Sequence, residues 1–454
     1  MKRFFLLTLA SAALLGASAA PVKTYEVKSP DGRLALVLTA GERLSFTVAR
    51  DGETLVAPSE MALTLSTGEV LGESPRVRSA RRRAVTETID APLYRQSRFD
   101  AAYNELDLRL RGDYGILARA YDDGVCYRFY TERDGELTIV DETAQLNFEG
   151  DPSAYIPYSK TEIPMRTSFE NTYEYAPLSK FRTQTVAFMP VLVDLGERGY
   201  VLYTESDVEA YPGVYLTYDK EARGFAARFA EYPTETSLTK RFQDVVERSA
   251  DYIARVDGRR SYPWRIVAYA ATVTELPVND MVWQTAEASR VADASWVRDG
   301  KIAWDWWNNW GVYGVDFKSG INTETYKYFI DFAAANGIEY VALDEGWGVR
   351  DGDVMHVVPE IDLPEIVSYA REKKVGIILW VVAKVLDDKL EEACRYYSEL
   401  GVAGWKVDFI DRQDQAAVER VYRIADAAAR LARFAPFLER AFPETQANPG
   451  LIES

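Results

Sequence analysis

The stretch Val402-Ala-Gly-Trp-Lys-Val-Asp-Phe-Ile410 is a short apolar run that carries a Lys406-x-Asp408 pair near its end. Two runs of the same kind precede it. One is Ile338-Glu-Tyr-Val-Ala-Leu-Asp344-Glu345-Gly-Trp347, and the other is Val375-Gly-Ile-Ile-Leu-Trp380-Val-Val382. Each has the length of a buried strand, ends in polar or aromatic groups and is followed by a helical pattern. Strands alternating with helices predict a parallel sheet or barrel. In a (β/α)8 barrel the chemistry sits at the C-terminal ends of the strands. Residues two apart on a strand share a face, so Lys406 should lie beside Asp408. A carboxylate next to a fixed cation stays ionised at neutral pH and can attack a sugar.

Working outward, 323–336 reads as an amphipathic helix stopped at Asn336-Gly337. The helix over 363–374 has Asp362 as its N-cap and Pro364 in its first turn. Helices are expected over 389–400, closed by Gly401, and over 415–433. The first strand of the series is Lys301-Ile-Ala-Trp-Asp305, running into Trp306-Trp-Asn-Asn-Trp310. Asp411-Arg-Gln-Asp414 reads as a polar loop that starts a helix. After Leu431 the strand–helix rhythm stops, and Pro436, Pro443 and Pro449 punctuate the remaining residues. Four βα units make half of a barrel, which takes about 250 residues in full.

The region from about 23 to 270 has a different rhythm. Turn signals such as Ser29-Pro-Asp-Gly32 and Arg50-Asp-Gly52 separate short alternating runs at 33–39, 44–49, 103–111 and 125–130. That spacing predicts an all-β sandwich of large size. The organisation expected is an export signal at 1–20, a sandwich at 21–272, a helical connector at 273–299 and a half barrel at 300–454. The signal rests on Lys2-Arg3, the apolar 4–15 run and the small residues Ala17-Ser-Ala-Ala20. It is too short to span a bilayer, so an exported chain without membrane insertion is expected, periplasmic or secreted.

Composition removes several function classes. A net charge of −17 with no basic stripe argues against nucleic acid. The single histidine, His356, excludes a histidine-rich zinc site, and no G-x-S-x-G elbow is present. Cys126 and Cys394 sit in apolar contexts and read as buried free thiols. Catalysis must therefore come from carboxylates, supported by Lys, Tyr or Trp.

Asp408 is the candidate catalytic residue, against the plainer reading of a loop cap. Asp344 and Glu345 could bind sugar hydroxyls or a metal, or could cap a helix. Trp304, Asp305 and Trp380 could line the same mouth with Lys406, although tryptophans more often fill cores. In the sandwich half, Glu170, Glu174, Glu205 and Asp207 lie in acidic stretches of the kind that suit calcium. Spacing alone does not separate these from any acidic surface.

The stretches Arg119-Ala-Tyr-Asp-Asp-Gly-Val-Cys-Tyr-Arg-Phe129, Trp304-Asp-Trp-Trp-Asn-Asn-Trp310, Tyr313-Gly-Val-Asp-Phe317, Gly320-Ile-Asn-Thr-Glu-Thr-Tyr-Lys-Tyr328, Leu343-Asp-Glu-Gly-Trp347 and Trp405-Lys-Val-Asp-Phe-Ile-Asp-Arg412 resemble glycoside hydrolase family 97. The resemblance implies a β-super-sandwich followed by a (β/α)8 barrel, and a calcium ion near the active site. It implies exo-acting hydrolysis of an oligosaccharide with a terminal α-linked sugar. Asp408 maps onto the nucleophile of the retaining α-galactosidase branch, Glu174 onto a calcium ligand and Glu205 onto a sugar contact. The family's acid/base Glu and further calcium-binding Glu residues have no counterpart here. The resemblance fails near Arg430, so the chain reads as a member cut short within the barrel, with its own activity doubtful. An inverting α-glucosidase of the same family and a non-catalytic sugar-binding fragment are the alternatives.

Overall fold

The computed structural model describes residues 22–91, 94–160, 165–291, 294–348 and 351–432. The export signal read at 1–20 and the proline-punctuated 433–454 segment lie outside the described residues. The first part of the chain is a sandwich-like domain of antiparallel strands, from Lys23–Lys28 to Trp264–Ala270. Strict alternation explains its layering. Leu34, Leu36 and Leu38 are fully buried on one face of Leu34–Ala40, and Leu44, Phe46 and Val48 do the same on the paired Leu44–Arg50. Each such side chain contributes about 1.5–3 kcal/mol by leaving water.

One strand holds the domain together. Gly124–Asn147 pairs in turn with Tyr114–Tyr121, Trp264–Ala270, Ala254–Ser261, Glu53–Leu65 and Gly224–Arg228. Only 125–130 of it reads as a strand from the sequence. Glu132 and Glu136 nevertheless pair with Arg259 and Asp257 across an irregular register.

The second part is a four-stranded parallel sheet in the order Ile302–Trp304, Tyr340–Leu343, Gly376–Val382 and Gly404–Asp408. Helices Thr323–Ala335, Leu363–Glu372, Leu390–Leu400 and Gln415–Ala432 separate or follow these strands. The local signals act as expected. Asp362 caps its helix by accepting from Glu365 N, and Gly401 ends another at φ 107°, where a side chain is strained. The first strand is shorter than its sequence suggests, because Asp305–Asn308 turns into a short 3-10 helix. A separate helix, Ala383–Asp388, directly follows the third strand.

The third strand is buried on both faces, as an inner parallel strand must be. Gly404–Asp408 is instead half-buried along its whole length, and among the described residues it pairs on one side only. Trp405 and Val407 there border an apolar groove with Cys394, Tyr397, Ile424 and Ala428. Cys126 and Cys394 are both free and buried.

A buried ionic seam joins the two parts. Asp244, in the hairpin strand Asp244–Ser249, accepts both terminal nitrogens of Arg420 at 2.9 and 3.0 Å. The Arg412 guanidinium approaches the same carboxylate at 3.0 Å and Asp414 at 2.9 Å, and its NH2 donates to Asp414 Oδ1 at 3.5 Å. Arg420 also reaches Asp387 at 3.2 Å. Burial raises the Asp244 carboxyl, but Arg420 and Arg412 outweigh it and hold the group below the usual range. Asp244→Ala would leave two buried guanidinium groups without their shared anion. The expected loss is about 3–5 kcal/mol of unfolding free energy, read from urea titration. A loss under about 1 kcal/mol, the ceiling for a surface pair, would show that the seam is not a stabilising element.

Candidate active site

The parallel strands aim their C-terminal ends at one place, and three charged side chains meet there. Lys406 Nζ donates to Asp344 Oδ2 at 2.9 Å and to Asp408 Oδ2 at 3.1 Å. Two indoles complete the arrangement: Trp380 Nε1 donates to Asp408 Oδ2 at 2.9 Å, and Trp304 Nε1 donates to Asp344 Oδ2. The Lys406 ammonium also lies 4.9 Å from the centre of a Trp304 ring, a cation–π distance. Strand register produces this set, since Trp380 stands opposite Lys406 and Val382 opposite Asp408.

The carboxylates differ in what surrounds them. The Asp408 side chain is 39% exposed, and its Oδ1 accepts the Phe409 N–H at 2.8 Å. Burial raises its pKa, but the Trp380 indole, the Phe409 N–H and Lys406 prevail and hold it below the usual value. The Asp344 side chain is 5% exposed, and its other oxygen accepts Glu345 N at 2.8 Å. Asp305 is fully buried behind them, accepting the Tyr326 hydroxyl at 2.7 Å and the Asp344 N–H at 3.2 Å. Burial pushes Asp305 up to about 6. For Lys406, burial works against the charge, and its two carboxylate partners more than offset that. The site thus presents one reachable, ionised carboxylate on a rigid strand end, with a fixed cation at its back.

The remaining candidates fall elsewhere. Glu345 is at the same strand end, where it pairs with Arg241 of the sandwich at 2.5 Å. Trp380 is buried and edge-on to Phe409, so it orients Asp408. Trp306 and Trp307 stack on Trp304 and keep exposed faces. Glu205 is inside the sandwich, not among these strand ends. It stands directly opposite Arg265, whose NH1 reaches it at 2.5 Å, and its other oxygen accepts Val214 N at 3.0 Å. Burial pushes the Glu205 carboxyl up, with Arg265 opposing. Each Glu205 oxygen thus has one partner within the sandwich.

Glu174 lies at the sandwich edge and ion-pairs with Arg182 at 2.5 Å. Calcium takes six to eight oxygens, and no group of three or more acidic, His or Cys side chains that could hold a metal occurs among the described residues. A calcium ion at Glu174 would therefore need oxygens other than a cluster of described acidic side chains. The residues the sequence does not single out are Arg241, Gln243, Asp244 and Tyr326. Each acts through a long-range contact that leaves no local pattern.

Known proteins share this organisation. The family described as Glycosyl-hydrolase 97 N-terminal matches residues 27–287, and the one described as Glycoside hydrolase 97 matches 306–443. The chain is 42% identical over 417 residues to a protein named "Retaining alpha-galactosidase" from Bacteroides thetaiotaomicron, covering 90% of this chain and 63% of that protein. It is 31% identical to a "Probable retaining alpha-galactosidase" of Streptomyces bingchenggensis, over 88% of this chain and 59% of the relative. The chain thus spans about three fifths of the length of these relatives. A 31-residue stretch is 71% identical to a "Probable D-serine dehydratase" of Chromobacterium violaceum, covering 7% of this chain and 7% of that protein. In fold, the chain superimposes with TM-score 0.76 on a glycoside hydrolase family 97 enzyme of Pseudoalteromonas sp. strain K8 solved with acarbose. That match has 18% identity and covers 90% of this chain and 65% of the other.

The raised Asp305 pKa means that the folded chain binds this proton more tightly than the unfolded one. The stability it supplies is full below about pH 4 and is lost as pH rises through about 6. Asp305→Asn cannot ionise, so the parent should lose up to about 3 kcal/mol relative to the variant between pH 4 and 7. Urea midpoints across that range measure the difference. A gap that does not change with pH would show that Asp305 titrates normally.

Proposed function

The chain belongs to glycoside hydrolase family 97, and from that premise we propose that it is of the retaining α-galactosidase type, with Asp408 as nucleophile. The single observation that carries the reading is the Asp408 carboxylate. It is ionised, half-exposed, at the end of a parallel strand and held by Lys406 and Trp380. The four βα units are then the first part of a (β/α)8 barrel, whose chemistry lies at these strand ends. The likeness to two relatives named as retaining favours this over the inverting alternative.

In the proposed reaction an Asp408 oxygen attacks the anomeric carbon of a terminal α-linked galactose. A glycosyl ester forms as the bond to the leaving oxygen breaks, and that oxygen departs with the electron pair. Lys406 Nζ lies between the nucleophile and Asp344 and donates to both, which keeps a positive charge beside the attacking oxygen. Water then opens the ester, and the second inversion restores the α configuration. Among the described residues none is assigned the acid that protonates the leaving group. Lys2-Arg3 and the apolar residues after them support export, and the substrate is an oligosaccharide met outside the cytoplasm.

The test uses a leaving group that needs no acid. Incubation with 5-fluoro-α-galactosyl fluoride releases fluoride as the ester forms, and the ring fluorine slows hydrolysis of that ester. Peptide mass spectrometry should find a fluorogalactosyl ester on Asp408. A chain that stays unlabelled, or a label on another carboxylate, would remove Asp408 from this role. Asp408→Gly should abolish labelling without unfolding the protein.

A further inference from the structure

The sandwich reaches into the mouth of the parallel sheet with one hairpin. Its strands are Pro233–Leu238 and Asp244–Ser249, and its tip carries Arg241, Phe242, Gln243 and Asp244 in consecutive positions. Each polar residue of the tip engages one of the two strand-end loops. Arg241 pairs with Glu345 after the second parallel strand and lies 4.4 Å over the Phe409 ring after the fourth. Gln243 Nε2 donates to Asp411 Oδ2 at 2.7 Å. Asp244 holds Arg412 through the buried seam. Phe242 adopts φ 61°, a left-handed conformation uncommon for a bulky residue.

The loop that receives these contacts is itself constrained. Phe409 and Asp411 both have positive φ, at 56° and 48°, immediately after Asp408. Such backbone is sparsely populated and persists only where its surroundings over-determine it. Its amide nitrogen at Phe409 donates to Asp408 Oδ1, so the loop conformation sets one of the carboxylate's hydrogen bonds directly. A second sandwich segment braces the loop from the other side. Gly213 N donates to Gln413 O at 2.8 Å, and Gln413 Nε2 donates to Val214 O at 3.2 Å. The Val214 N–H is in turn held by Glu205, which gives that buried acid a part in the same support.

We propose that the hairpin tip Arg241–Gln243–Asp244 is the positioning element for the nucleophile, holding the 409–412 loop in the conformation that orients the Asp408 carboxylate. This rests on the proposed role of Asp408. The tip does not touch the reacting atoms; it acts through the Phe409 backbone. Gln243 is the discriminating residue, because among the described residues its side chain bonds to Asp411 alone and it carries no buried charge.

The experiment measures labelling of Asp408 by 5-fluoro-α-galactosyl fluoride as a function of reagent concentration, separating the limiting rate from the half-saturating concentration. Gln243→Ala should lower the limiting rate about 10-fold while half-saturation stays within about twofold, as expected for lost orientation with retained binding. Asp411→Ala should match it, and the double variant should be no slower than either single one. Asp411→Asn keeps an oxygen that accepts from Gln243, and should restore most of the rate lost in Asp411→Ala. Ser237→Ala, remote on the same hairpin, should label at the parent rate. Parent-like labelling by Gln243→Ala, additive effects in the double variant, or losses that track the unfolding midpoint would overturn the positioning role while leaving Asp408 as nucleophile. An unlabelled parent would instead overturn the glycosidase reading, and this inference with it.

Discussion

One ammonium group organises the catalytic end of the parallel sheet. Lys406 sits between Asp344 and Asp408, at 2.9 and 3.1 Å. Two carboxylates this close to each other repel, and partial burial sharpens the repulsion. At an effective dielectric near 20, unit charges 4 Å apart interact by about 4 kcal/mol. The cation converts that repulsion into two attractions and so lets the second and fourth strands both end in acids. The two indoles, from Trp304 and Trp380, each donate to one of the acids, so neither depends on lysine alone. Replacing Lys406 by a neutral residue would therefore disturb Asp344 as much as Asp408, although only one of them is reachable.

The sheet does not stand alone. Its fourth strand is half-exposed, and the loop after it carries two non-glycine residues in left-handed conformations. The sandwich fixes this end, through Asp244 on Arg412 and Arg420, Gln243 on Asp411, and the 213–214 backbone on Gln413. Gln415 adds a pair of bonds to the Arg255 backbone, at 2.9 and 2.7 Å. A desolvated ionic seam is a weak source of net stability compared with apolar packing, because both ions lose water. It is, however, directional. It allows one registry between hairpin and loop and penalises the others, which suits a contact whose task is placement.

The range of each signal decides how much of the molecule is legible in its sequence. Periodicity and end caps act over a few residues, so the parallel strands, Asp362 as N-cap and Gly401 as helix stop can be read directly. The Lys406–Asp408 contact comes from strand geometry alone, as two residues on one face. The Asp411-Arg-Gln-Asp414 segment has the pattern of an ordinary polar loop, because its partners lie about 170 residues away in the chain. The surroundings of Glu205 are hidden for the same reason: its strand pairs with Trp264–Ala270, which places Arg265 opposite it. The Gly124–Asn147 strand runs through an apparent turn, since its many strand partners outweigh the local preference of Glu132-Arg-Asp-Gly135.

Three aspartates stand at or behind the ends of the first, second and fourth parallel strands, and their surroundings give them three different roles. Asp305 is wholly buried, has no cation in contact and is pushed up to about 6 by burial, so it is a poor nucleophile and a good internal acceptor for Tyr326 and the Asp344 backbone. Asp344 takes the same pattern of partners as Asp408, with Lys406 and Trp304 on one oxygen and the Glu345 amide on the other, but only 5% of its side chain is exposed, so it lacks access. Asp408 shares the same lysine, yet keeps two fifths of its side chain in solvent and a depressed pKa. A nucleophile needs charge, access and a fixed direction together. Among these three acids only Asp408 has all of them, and its direction depends on a loop that the sandwich holds in place.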